Sequence, residues 1–224
     1  MDVFIALSNF QRALMIKAGL PKEKVHIKPN FYPGNPQVVP WIERAPCVVF
    51  VGRLTAEKGV ANLLRAWQAW GPSAPELRLV GDGELRRDLE RMAMGLPVRF
   101  LGQMRAERAQ AEIARASLLV LPSECFEGFP MVVREAFAFG TPAAVSNLGP
   151  LPSIVPQGHS GVLFQPADAQ SLLHEVRTAW HTPGLLERLG QGARAEFENK
   201  YTEDANYATL MDIYGQAIEV SKYG

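Results

Sequence analysis

The stretch Glu127-Gly128-Phe129-Pro130-Met131-Val132-Val133-Arg134-Glu135 sets a carboxylate at each end of a turn that runs into an apolar helix. Gly128 permits a tight turn, and Pro130 suits the first helical position, where a missing N–H costs nothing. From Pro130 to Phe139, the residues Met131, Val132, Val133, Ala136, Phe137, Ala138 and Phe139 surround nearly the whole helix, interrupted only by Arg134 and Glu135. A helix apolar on all sides is expected to be buried. Glu135 then needs a partner, because an unpaired ion in the interior is strongly disfavoured. A neighbouring base such as Arg134 would serve, and so would a polar ligand. Glu127, ahead of the helix, gains from the positive end of the helix dipole, and the free amides of the first turn are suited to anionic oxygens.

Working outward, short apolar runs at Cys47–Gly52, Leu77–Gly81, Val98–Leu101, Leu118–Leu121 and Ala143–Ser146 alternate with helical patterns. That rhythm predicts an α/β class, a Rossmann-like parallel sheet with helices on both faces. Val60, Leu63, Leu64 and Trp67 recur at helical spacing. So do Leu172, Leu173, Val176 and Trp180, and then Tyr207, Leu210, Met211, Tyr214, Ala217 and Ile218, so that each set reads as an amphipathic helix. Loops at the carboxyl ends of parallel strands gather at one crevice, which would bring Arg53, Gly81, Gly102 and Glu127 together. Residues 1–40 read differently: an apolar segment Val3–Leu7, Ser8 as a helix cap, a short helix to Gly19, a Val/Ile strand ending in Pro29-Asn30, and the linker Pro33-Gly34-Asn35-Pro36. The expected division is therefore 1–40, a tail and linker, and 41–224, the main domain.

Composition sets outer limits. The 224 residues carry 23 basic and 23 acidic side chains, with no basic block that would suit nucleic acid or an anionic membrane as the main partner. Cys47 and Cys125 are far apart, and His26, His159, His174 and His181 are scattered, so no metal or redox spacing exists. Met1-Asp2-Val3-Phe4 lacks a signal-peptide start, and a reducing cytoplasm is the expected setting. Cys125 has no identifiable base beside it and is not a candidate nucleophile.

Arg53 and Lys58 lie between the first strong strand and its helix, where a turn presents cations to the crevice. Together they suit a diphosphate: at about 4 Å and an effective dielectric near 20, each charge pair contributes about 4 kcal/mol. The alternative is that they are solvated loop charges or pair with Glu57. Gly81-Asp82-Gly83-Glu84 lacks the third glycine of a dinucleotide fingerprint and reads as a tight turn and helix cap, and neither a Walker sequence nor an Asp-x-Asp metal motif is present.

Gly52-Arg53-Leu54 with Lys58-Gly59, then Val80-Gly81-Asp82-Gly83, Val98-Arg99-Phe100-Leu101-Gly102, Pro122-Ser123, the two acids, and Glu135 through Pro142 follow one another in an order that resembles a known family. It is the retaining, nucleotide-sugar-dependent glycosyltransferases of the GT-B fold, family four, also called group one. The resemblance implies a carboxy-terminal donor-binding domain, one half of a GT-B fold, whose missing amino-terminal domain binds a glycan, lipid or small-molecule acceptor. It implies that Arg53 and Lys58 stabilise the departing nucleoside diphosphate without a metal or other cofactor, and that Glu127 accepts from a donor-sugar hydroxyl. Backbone from Gly128 through Phe129, Pro130, Met131 and Val132 would touch sugar and phosphate, Glu135 would hold the ribose, and Arg99 or Phe100 would meet the base through the backbone. Alone, such a domain binds donor but transfers little sugar, and the whole protein could contact a membrane peripherally. Two departures stand out: Phe129-Pro130 replaces the family's Phe-Gly and removes an amide donor, and Asn30-Phe31-Tyr32-Pro33 replaces Asn-Gly-Val-Asp at the hinge. A non-catalytic nucleotide or glycan binder is the alternative. A glycoside hydrolase using Glu127 and Glu135 as acid and base would leave the two cations unexplained.

Overall fold

A computed structural model describes residues 3–223. Met1 and Asp2, which open the predicted tail, lie outside the described residues, as do Gly224 and the side chains of 220–223. Strand β1 (Phe4–Ala6), helix α1 (Asn9–Lys17) and strand β2 (Val25–Ile27) come first, with β1 and β2 pairing in parallel as a separate two-stranded sheet. Ser8 caps α1 as its sequence position predicts, its hydroxyl accepting from Gln11 N at 3.2 Å. The main body follows as β3 (Ala45–Val51), α2 (Val60–Trp70), β4 (Glu76–Val80), α3 (Arg86–Met92), β5 (Val98–Gly102), α4 (Ala106–Arg115) and β6 (Ala116–Leu121). It continues through α5 (Met131–Ala138), β7 (Ala143–Ser146), α6 (Leu151–Ile154), β8 (Gly161–Phe164), α7 (Ala169–His181), α8 (Leu185–Lys200) and α9 (Glu203–Tyr223).

Six parallel strands run in the order β5-β4-β3-β6-β7-β8, the doubly wound arrangement whose direction of winding reverses between β3 and β6. Helices cover both faces, as expected. Val60, Leu63, Leu64 and Trp67 of α2 and Leu172 and Val176 of α7 bury one face, whereas Val133, Ala136 and Phe137 of α5 and Phe197 of α8 bury the other. Strand β8 was not among the expected strands, since a four-residue apolar run at a sheet edge leaves little pattern to read.

The stripe read as helical from Tyr207 to Ile218 lies on α9. Among the described side chains of that helix Ile213 is the buried apolar residue, while Tyr207, Met211, Tyr214 and Ile218 are 65%, 45%, 51% and 56% exposed. The periodicity is helical as read, but no element among the described residues covers the apolar face. Asn206 Nδ2 donates to Pro29 O at 2.8 Å and ties the start of α9 to the segment after β2.

At the winding reversal, the loops after β3, β4 and β6 approach at van der Waals distance or less. Leu54 N donates to Asp82 O at 2.9 Å, and Leu85 N to Leu54 O at 3.1 Å. A Cβ at Gly81, where φ is 134°, would stand 1.9 Å from Gly52 O. On the other side, Gly59 closes the turn Ala56–Lys58 with φ 67°, and a Cβ there would stand 1.9 Å from Pro122 O. Both glycines are required by contact as well as by backbone sign. Gly81→Ala should therefore cost about 2–3 kcal/mol in urea denaturation, whereas Gly215→Ala, on the open side of α9, should stabilise by about 0.5–1 kcal/mol. Equal effects would contradict this packing.

Candidate functional site

Lys58 and Glu127 are 69 positions apart and meet across the reversal, with Lys58 Nζ 2.7 Å from Glu127 Oε1. Both side chains are largely buried. Ser123 Oγ donates to the same oxygen at 2.5 Å, so Glu127 Oε1 is doubly satisfied while Oε2 has no hydrogen bond among the described residues. The loop is held further by Glu124 N, which donates to Glu57 O at 2.8 Å. Lys58 thus pairs with the acid of the facing loop and not with Glu57, a choice that sequence proximity could not reveal.

Arg53 behaves otherwise. Its side chain is 73% exposed and reaches Glu57 at 3.3 Å, an i,i+4 contact of the sort that contributes little in water. The same arginine lines a crevice of about 550 Å³ with Val51, Gly52, Gly81, Asp82, Gln103 and Met104, at the carboxyl ends of β3, β4 and β5. Arg99 and Phe100 do not line it. The Arg99 guanidinium turns toward Glu76 at the amino end of β4, 3.6 Å away, and the Phe100 ring packs into the α2 and α3 side of the core. Asp82 accepts from Gly83 N at 2.8 Å and pairs with Arg86 at 3.0 Å, but the N-cap of α3 is Leu85, with no side-chain bond, so the tight turn stands and the helix-cap reading is corrected.

Helix α5 begins one residue later than its proline suggests. Pro130 is the N-cap, with ψ 107°, and Met131 is the first helical residue. No side chain caps this end and no acid lies in its first turn, which leaves backbone amides to meet a ligand. Phe129 packs edge-on against Tyr201 with ring centroids 5.8 Å apart, so only its backbone can serve the site. Exposed Phe126 leans on Phe10 of α1 at 5.2 Å, linking the acid loop to the first segment of the chain.

Glu135 does not find the base the sequence offered it. Its partner is Gln110 on α4, whose Nε2 donates to Oε1 at 3.3 Å, and no cation lies within 4 Å of it among the described residues. Burial pushes its carboxyl above the usual carboxylate range, opposed by the Gln110 bond and by Arg134. Arg134 itself is 5% exposed, its guanidinium stacked 5.6 Å from the centre of the Tyr32 ring and its Nε without a partner. Sequence reasoning missed Gln110, Gln103 and Met104, whose spacing carries no signal, and named Ser123 only within the Pro122-Ser123 motif, without a role at the site.

A second cavity of about 350 Å³ lies at the opposite ends of the strands, beside Trp41, Arg44 and Arg194. There Arg44 is occupied structurally, donating to Ala116 O, Thr141 Oγ1 and Phe139 O at 3.0, 2.7 and 2.7 Å, and burial lowers its pKa to about 10. Among the described residues no helix is long and apolar enough to cross a membrane, and no cluster of three or more His, Cys, Asp or Glu side chains could hold a metal ion.

A family profile described as glycosyl transferases group 1 matches residues 34–196. The chain is 33% identical over 176 residues to the sulfoquinovosyl transferase SQD2 of Arabidopsis thaliana, covering 77% of this chain and 34% of that protein. It is 32% identical over 183 residues to a glycogen synthase of Mycobacterium tuberculosis, covering 79% and 43%. The chain therefore spans about a third to under half of these relatives' lengths. Among solved structures, Anabaena HepE in complex with UDP superposes with a TM-score of 0.84 at 22% identity, covering 96% of this chain and 64% of that one. At that identity, the likeness speaks for the fold.

The environment of Glu135 sets a stability cost with a definite sign. A carboxyl whose folded pKa lies above its unfolded value of 4.5 holds its proton more tightly in the fold, so stability falls as pH rises from that value through the folded pKa. Glu135→Gln should therefore gain stability over the parent chain at about pH 8 and show little or no gain at about pH 4, measured by urea denaturation. A gain that is equal at both pH values would contradict the burial effect.

Proposed function

The chain belongs to the glycosyl transferases group 1 family, and from that premise we propose that it is the donor-binding half of an enzyme that moves a sugar from a nucleoside diphosphate to an acceptor, with retention of configuration. The observation that carries this reading is the Glu127 carboxylate. One oxygen is fixed by Lys58 and Ser123, and the other is left with acceptor capacity, beside an uncapped helix amino end. Glu127 Oε2 accepts from a hydroxyl of the donor sugar. The amides from Gly128 to Val132 hold sugar and phosphate oxygens, with Pro130 contributing none. Arg53 swings from its weak contact with Glu57 onto the diphosphate, and Lys58 shares its charge between Glu127 and the departing phosphate. The two cations neutralise the leaving group, so the reaction calls for no metal. Glu135 takes the ribose hydroxyls, and the base lies past the carboxyl end of β5, beside Gln103 and Met104.

The chain's first segment, 1–40, belongs on this reading to an amino-terminal domain that binds the acceptor, a glycan, lipid or small molecule. The exposed α9 stripe and the isolated β1–β2 pair support that assignment, since both present surfaces that a larger unit would cover. Catalysis then occurs between the two halves, in the cytoplasm or at a membrane surface that the missing half contacts. A non-catalytic binder is disfavoured by the named transferases among the relatives, and a hydrolase by the family itself.

Calorimetric titration of the chain with UDP, GDP and ADP should show binding of one nucleotide, UDP being the first to try, since it is the ligand of the Anabaena structure. Arg53→Ala should weaken that binding by about 10-fold, the loss of one charge-assisted contact. Undiminished affinity would remove Arg53 from the diphosphate site. In the full-length protein, NMR of the product should find the anomeric configuration of the donor preserved; an inverted product would overturn the stereochemical assignment.

A further inference from the structure

Tyr32 lies in the segment joining β2 to β3, remote in sequence from α4 and α5, yet its side chain is buried against both. Tyr32 N donates to Tyr201 O at 2.9 Å, and its ring packs edge-on to Phe139 and Phe197 with centroids 5.8 and 6.4 Å away, so the phenol has little freedom. Its hydroxyl donates to Gln110 Oε1 at 3.2 Å, and Gln110 Nε2 donates to Glu135 Oε1 at 3.3 Å. The order of donors admits one orientation of the amide: reversed, the Gln110 oxygen would face a carboxylate oxygen, and two acceptors would oppose each other. Aligned in this way, each bond polarises the next. The titratable groups acting on Glu135 are Arg134, on its own helix, and Tyr32, from the joining segment, while Gln110, from α4, is neutral.

We propose that Tyr32 and Gln110 are positioning residues that hold Glu135 in its nucleotide-binding rotamer, so that the segment between the two sheets sets the affinity of the donor site. The proposal rests on the reading of Glu135 as the ribose-holding acid. Without Gln110, Glu135 would face a partly buried environment with no neutral donor to direct it, and its carboxylate would rotate toward solvent or toward Arg134. A displacement of the joining segment would then loosen the hold on nucleotide without touching any residue that contacts it.

The test uses the whole chain with Gln110→Leu, Tyr32→Phe, Glu135→Gln and the Gln110→Leu/Glu135→Gln double change, each read in two ways. Carboxyl carbon NMR reports the apparent pKa of Glu135 with no nucleotide present, and calorimetry reports UDP affinity. Tyr32→Phe keeps the ring packing and guards against a folding artefact. The relay requires that the Glu135 pKa rise in Gln110→Leu and, by less, in Tyr32→Phe. Affinity for UDP should fall by about 5- to 10-fold in Gln110→Leu, and the double variant should bind no more weakly than Glu135→Gln alone. An unmoved Glu135 pKa overturns the relay while leaving the ribose assignment intact. A pKa that moves as required beside a Glu135→Gln affinity equal to the parent's overturns the ribose assignment, and with it the claim that the relay serves the donor.

Discussion

The ion pair between Lys58 and Glu127 is the interaction on which the site depends. It joins the loop after β3 to the loop after β6, the two strands between which the sheet reverses its winding. A charge pair that is largely withdrawn from water is sustained only when its remaining hydrogen-bonding capacity is met. Ser123 meets part of it, and the geometry leaves the rest open on one carboxylate oxygen. The close approach of Gly59 to Pro122 brings these two loops near enough for that pair to form. Packing, electrostatics and the ligand-ready oxygen are therefore consequences of one another.

Much of the architecture was legible because burial imposes period. The runs from Cys47, Leu77, Val98, Leu118 and Ala143 became β3 to β7 with boundaries shifted by two residues or fewer, and the stripes on α2 and α7 pack as their spacing predicts. The α9 stripe is helical as its period predicts, although no element among the described residues covers it. The acids and cations were legible as individuals but not as pairs. Lys58 had Glu57 beside it and chose Glu127; Glu135 had Arg134 beside it and took Gln110. Adjacent residues on a helix point about 100° apart, so sequence neighbours are poor guides to partners, and contacts between loops distant in sequence have no periodic signature.

Features unfavourable for stability gather around the same helix. Glu135 is held in a setting that resists its ionisation, Arg134 is buried with an unpartnered Nε, and the first turn of α5 is uncapped. A fold selected for stability alone would pair or replace these groups. Their gathering around one helix accords with the proposed donor site, in which a ligand would supply the missing interactions. The cavity at the opposite end, where Arg44 has its hydrogen bonds filled by backbone and Thr141, shows the contrasting case of a cation used to hold the fold.

The most direct test is to follow the backbone amide spectrum of the chain during titration with UDP. The account predicts shifts concentrated at Gly52–Leu54, Lys58, Gln103–Met104, Gly128–Phe129, Met131–Val132 and Glu135, with the region around Trp41 and Arg194 unmoved. Shifts centred on Trp41, Arg44 and Arg194, with the acid loop unaffected, would contradict it.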